Sequence, residues 1–191
     1  MLFPDVPTIH AAPVPGASAT LAGLDRYVGK SVADFCQFHY GAVGDDQSHC
    51  AHVVSHVMGF RFGATCESLL AWPQVKKNNK IPELKGAMGF TVRVNDVYNN
   101  LPSTGDWTDD VAGPCLLFAT LPTNFTDATR ATMLTQSKKH VGILSGGKVY
   151  NYGNTKDAVV ADTPTEFRTK FKKNYGSNVV FRYGDFPAAP G

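Results

Sequence analysis

Residues 139–153 read KHVGILSGGKVYNYG, two strand-length runs parted by Gly146-Gly147. A pair of glycines accepts the positive φ of a tight two-residue turn at no steric cost, so the segment is expected to be a β-hairpin. A hairpin commits this half of the chain to an antiparallel sheet. Its neighbours agree: PCLLFATL is an apolar run of strand length, and SNVVFRYG reads as a last strand. Between hairpin and last strand, DTPTEFRTKFKKN carries a helix start, with Asp162 or Thr163 as cap, Pro164 in the first turn and Glu166 following.

The N-terminal half is read as helical. Residues 1–17 hold Pro4, Pro7, Pro13 and Pro15 and are expected to be an extended arm. ASATLAGLDRYVG reads as a short helix ended by Gly29. SVADFCQFHYG reads as another, with Ser31 as N-cap and Gly41 past its end. SHCAHVVSHVMG is the third, started at Ser48 or His49 and stopped by Gly59. In it Cys50, Val53, Val54 and Val57 form one buried stripe at helical spacing. His49, His52 and His56 fall on a different face, expected to be polar and solvated. Residues 64–110 mix helix and loop with one short strand, FTVRV. Helices first and then a mostly antiparallel sheet make an α+β domain over residues 18–186, with a tail at 187–191.

The chain has 191 residues, 43% hydrophobic and 18% charged, enough for one domain with a real core. Its net charge is +2, and the basic runs VKKNNK and FRTKFKK read as solvated faces, so no nucleic-acid partner is expected. No apolar run reaches the roughly 18 residues that a membrane helix needs. The N-terminus has no basic n-region and no continuous apolar stretch, so no standard signal peptide is expected. Cys36, Cys50, Cys66 and Cys115 form no CxxC pair and are expected to be mostly free thiols.

Two constellations compete for the chemistry. His52 and His56 stand at i and i+4, as in a zinc-binding helix, but Val53 occupies the position where such a helix carries its general-base Glu, and no carboxylate ligand is evident. No metal and no cofactor are therefore expected. The other constellation is a thiol. Cys50 falls in the first turn of its helix, where unpaired amide N–H groups and the helix dipole favour thiolate. His140 opens one hairpin strand, and across the glycine turn Asn151 stands within reach on the same sheet face. Thiolate, imidazole and an orienting amide form the set that a cysteine hydrolase needs.

These segments resemble the NlpC-like cell-wall peptidases of the papain-like superfamily. SHCAHVVSHVMG is similar to their DCSGFV helix start, GPCLLFAT to their GDLVFF strand, and the hairpin to their HVGIYLGNGKFIHA, with a turn one residue shorter. HYGAVGDDQSHC resembles their approach to the cysteine. The likeness covers chiefly residues 40–59 and 114–153. It departs in His49 for the family's Asp, in Ala51-His52 for Ser-Gly, and in Asn151 for the commoner histidine. HCAHVVSHVMGFRFG also resembles a segment of the lecithin:retinol acyltransferase-like proteins, but there the histidine precedes the cysteine.

The resemblance implies a papain-like fold and a cysteine amidase or endopeptidase acting on the peptide stems of bacterial peptidoglycan. Cys50 would be nucleophile, His140 base and acid, and Asn151 its orienter, with Tyr40 and His49 as oxyanion or substrate contacts. With no standard signal peptide expected, such an enzyme would be made in the cytoplasm and exported by a specialised secretion system, or be a phage-type lytic enzyme, with a cognate inhibitor protein as a further partner. The rivals are a deamidase or acyltransferase toxin using the same thiol, and a non-catalytic binding module in which Cys50 is inert.

Overall fold

The computed structural model describes residues 21–36, 49–67 and 89–187. The expected arm at 1–17, Tyr40 and the last four residues of the tail lie outside them. The architecture is α+β: a six-stranded antiparallel sheet with helices on both faces. In chain order the elements are α1 (Cys50–Met58), α2 (Val94–Asn99), β1 (Thr104–Asp106), β2 (Cys115–Thr120), β3 (Lys139–Ser145), β4 (Lys148–Gly153), β5 (Ala158–Asp162), α3 (Pro164–Tyr175) and β6 (Val180–Gly184). The sheet order is β1-β6-β2-β3-β4-β5. No helix among the described residues is long and apolar enough to cross a membrane.

The hairpin forms as its glycines dictate. Gly146 and Gly147 have φ of 56° and 75°, and Ser145 pairs with Lys148 across the turn. α3 starts with Thr163 as its cap. The Glu166 N–H donates to Thr163 Oγ1, and the Thr163 N–H donates back to Glu166 Oε2 at 2.7 Å. Two otherwise orphaned helix-end donors are satisfied in this way.

Strand pleating sorts the core into two layers. Leu116 and Phe118 of β2, Val141 and Ile143 of β3, and Tyr150 and Tyr152 of β4 face α1 and α2. Leu117 and Ala119, Leu144, Val149 and Phe181 face Phe167 and Phe171 of α3, with Trp107 at the side. All six residues of β2 are buried, as a central strand covered on both faces must be. Among the described residues the one charged group deep in the first layer is Arg182 of β6. It donates to the Tyr98 hydroxyl at 3.1 Å and pairs with Asp106 at 2.6 Å, so its charge is buried with partners.

Several expectations are corrected. Of the first expected N-terminal helix, the described part holds a helical Leu21 and then a 3-10 turn at Leu24–Tyr27; of the second, it holds a 3-10 turn at Val32–Asp34, with residues 37–41 outside the described residues. At the second, the Asp34 carboxylate accepts the Ser31 N–H at 2.8 Å, closing a tight local turn. FTVRV is not a strand. It makes one bridge, Thr91 to Thr65, and then Arg93 caps α2. β1 and β5, the two edge strands, are additions to the expected sheet: β1 is Thr-Gly-Asp, and β5 ends at Asp162, one residue before the Thr163 cap of α3.

Phe118 is fully buried in the first layer, with its ring edge-on to Tyr98 at 5.0 Å. Phe118→Ala is expected to destabilise the fold by about 3–5 kcal/mol, read as a lowered urea midpoint at unchanged m-value.

Candidate active site

Asn151 stands opposite Gly142 in the β3–β4 register. A Cβ at residue 142 would lie 3.0 Å from that of Asn151, so the glycine leaves the Asn151 side chain room to lean along the strand. It leans to its diagonal neighbour: Asn151 Oδ1 lies 3.2 Å from His140 Nε2. The Asn151 amide nitrogen donates to Val149 O at 3.1 Å and to Asp162 Oδ2 at 2.9 Å. With its NH2 so placed, Oδ1 is the acceptor and His140 carries its proton on Nε2. Nδ1 is then the ring nitrogen able to take up a proton. The expected proximity of His140 and Asn151 is present.

The pair belongs to a larger polar group. Lys170 of α3 forms an ion pair with Asp162 and reaches Asn151 Oδ1 at 3.4 Å. Around them lies a cleft of about 390 Å³, lined by His140, Asn151, Asp162, Lys170 and Tyr175 among others. The His140 ring packs on Phe171, centroid to centroid 4.4 Å, with Phe167 at 6.0 Å. Burial there pushes the imidazole down to about 3, and the Lys170 ammonium adds to the shift. The Asn151 hydrogen bond and the Asp162 charge oppose it without overcoming it.

Cys50 is the first residue of α1 and is completely buried. It packs in the layer with Val141, on the sheet face opposite to that of His140. Both are nevertheless at the same end of the sheet. Burial lowers the Lys139 ammonium and Arg93 adds to the shift, while Asp96 and, more weakly, Cys50 oppose it without overcoming it. Burial pushes the Tyr175 hydroxyl up, and the Cys50 charge pushes it further. Lys139 precedes His140, and Tyr175 lines the His140 cleft, so Cys50 borders the site from behind the strand. The structure thus joins His140 to Asn151, and places Cys50 in the layer on the other face of β3. His49, the cap of α1, sets its ring edge-on to Tyr152 at 5.8 Å. Tyr40 falls outside the described residues.

The histidine face of α1 is not solvated, contrary to expectation. His52 is fully buried and His56 half-buried, with their Nε2 atoms 3.1 Å apart. Burial pushes His52 down to about 3, with His56 and His49 adding to it. Burial pushes His56 down to about 4, with Arg61 adding. Two cysteines complete the cluster. The ligand atoms of Cys36, His52, His56 and Cys66 all lie within 4.8 Å of one another. None of the four cysteines is in a disulfide. The expectation of no metal rests on the lack of a carboxylate beside the histidines, whereas sulfurs stand on either side of them. A cysteine before and a cysteine after the His52–His56 pair was the available signal.

No family model, curated protein or solved structure matches this chain.

The burial of His140 has a pH consequence. Unfolded, the imidazole binds a proton near 6.5; folded, it resists protonation until about 3. Between the two the unfolded state binds more protons, so this contribution is complete above about pH 6.5 and is lost as pH falls, at up to about 1.4 kcal/mol per pH unit. Buried His52 and His56 add slopes of the same sign in this window, so His140→Gln is expected to make that part of the stability–pH curve shallower by one group's share, measured as urea midpoints from neutral to mildly acidic pH. A wild-type slope kept by the variant would show that His140 is not one of the groups responsible.

Proposed function

We propose that this chain is a cysteine amidase or endopeptidase with a papain-like arrangement, acting on peptide-stem amides of peptidoglycan. The observation that carries the reading is the orientation of His140: Asn151 holds its Nε2–H and leaves Nδ1 as the proton acceptor, at the end of the sheet where the helix-start thiol lies. The NlpC-like resemblance of residues 40–59 and 114–153 supplies the substrate class.

In this reading Nδ1 of His140 takes the Cys50 proton, and the thiolate attacks the amide carbonyl. The tetrahedral oxyanion is met by backbone N–H at the start of α1, with Tyr40 as the second donor. The imidazolium then protonates the leaving amine, and water hydrolyses the thioester. The reading requires Cys50 and His140 to meet. They start on opposite faces of β3, so the first residues of that strand must turn His140 away from Phe171 toward α1.

A second reading rests on that same separation: a non-catalytic module that binds its ligand in the His140 cleft, with Cys50 a buried, inert thiol. Limited iodoacetamide at mildly acidic pH, read by mass spectrometry, separates the two. The amidase predicts that Cys50 reacts ahead of Cys36, Cys66 and Cys115 and loses that lead in His140→Ala. It also predicts that Cys50→Ala abolishes release of stem peptides from peptidoglycan and that His140→Ala slows it by about 10²–10⁴-fold. Equal reactivity of the thiols and undiminished binding of peptidoglycan by Cys50→Ala would favour the binding module.

A further inference from the structure

We propose that Cys36, His52, His56 and Cys66 form a structural Zn²⁺ site, independent of the hydrolytic reading. Two thiolates and two imidazoles are a closed zinc set with no position left for water or substrate. The spacing suits the ion. With Zn–N of about 2.0–2.1 Å and Zn–S of about 2.3 Å, a tetrahedron has edges of roughly 3.3 Å between nitrogens and roughly 3.8 Å between sulfurs. The two Nε2 atoms are 3.1 Å apart, and all four ligand atoms lie within 4.8 Å of one another, so a contraction of the cysteine side chains completes the geometry.

The surroundings are those of a thiolate site. The Phe90 N–H donates to Cys66 Sγ at 3.3 Å, and the Glu67 N–H is directed at the same sulfur. A neutral thiol is a weak acceptor, whereas a metal-bound thiolate uses such donors. Backbone pairing fixes this second layer: Cys66 N–H to Phe90 O at 2.9 Å, Val92 N–H to Ala64 O at 3.0 Å, and the bridge between Thr65 and Thr91. Phe90 also covers the His56 ring at 4.2 Å.

Among the described residues the apolar cluster at this place consists of Cys36, Cys66 and Val92, with Ala64 and Phe90 at its margin, and two of its buried members are themselves the sulfur ligands. A metal ion would tie the Val32–Asp34 turn, the rear of α1 and the clasp of residues 64–67 with 89–92 at a single point. Binding is balanced by proton release: two thiols lose two protons, four donor bonds form to Zn²⁺, and the cluster becomes electrically neutral.

The test uses the full chain, purified with reductant and without chelator. Elemental analysis is expected to find about one Zn²⁺ per chain, and native mass spectrometry an adduct lighter by two protons than protein plus ion. Replacement by Co²⁺ is expected to give the visible bands of a tetrahedral site and a sulfur-to-cobalt charge-transfer band. Cys66→Ser and His52→Gln should each weaken binding by at least about tenfold, while Cys115→Ser, buried in the other layer, should bind as wild type does. Wild-type measurements decide the matter even if a ligand variant fails to fold. Reduced wild-type protein that takes up neither zinc nor cobalt would overturn the proposal. So would metal binding unchanged in Cys66→Ser, or a Cys36–Cys66 disulfide as the only chemistry found at the cluster.

Discussion

A side chain leaves a β-strand on one face or the other, and in β3 both faces are covered. Val141 and Ile143 go under α1, whereas His140 and Leu144 go under α3. The alternation admits no intermediate choice, because a one-residue slip would send His140 into the first layer and Val141 into the polar cleft. Everything at the candidate site follows from that commitment. His140 meets Asn151, Lys170 and Asp162 because they share its face, and it is separated from Cys50 because the helix-start thiol belongs to the other layer. Burial against Phe171 keeps the imidazole neutral, so the protein pairs it through a neutral hydrogen bond rather than an ion pair.

α1 is buried on nearly every side, which is unusual for a helix of nine residues. Val53 and Val54 press on the sheet, while His52 and His56 press on the small cluster behind. Such a helix has no water-facing side on which to leave imidazoles, and each polar atom must find a partner within the protein or in what the protein binds. The position of its first residue, Cys50, is therefore set from two directions, by the apolar layer in front and by the histidine and cysteine groups behind.

Much of the sheet was legible in the sequence. The Gly146-Gly147 turn, the apolar run of β2 and the Thr163–Glu166 cap are local signals, complete within a few residues, and each produced the expected element. His140 near Asn151 was legible for the same reason, since a tight hairpin fixes its own register. The faces were not. Which side of the sheet α1 would cover is decided by contacts far apart in the chain, and the short pattern around His140 carries no mark of it. The edge strands β1 and β5 escaped notice because edge pairing needs little hydrophobic signal. Cys36 and Cys66 bracket His52 and His56 in the sequence, but that the four meet depends on a chain reversal at Gly59 and a clasp between residues 64–67 and 89–92, neither of which has a periodic signature.

Gly142 has a meaning beyond its turn of strand. Any side chain there would press on Asn151 and close the diagonal along which that amide reaches His140. The glycine is thus part of the spacing His-x-Gly followed nine residues later by Asn, with a Gly-Gly turn between, and this spacing is a physical fingerprint rather than a statistical one. Among diverged chains too different for overall similarity to register, those built on the same site would be recognised by that gap in the strand: an empty position kept where a residue of almost any other kind would strengthen the sheet.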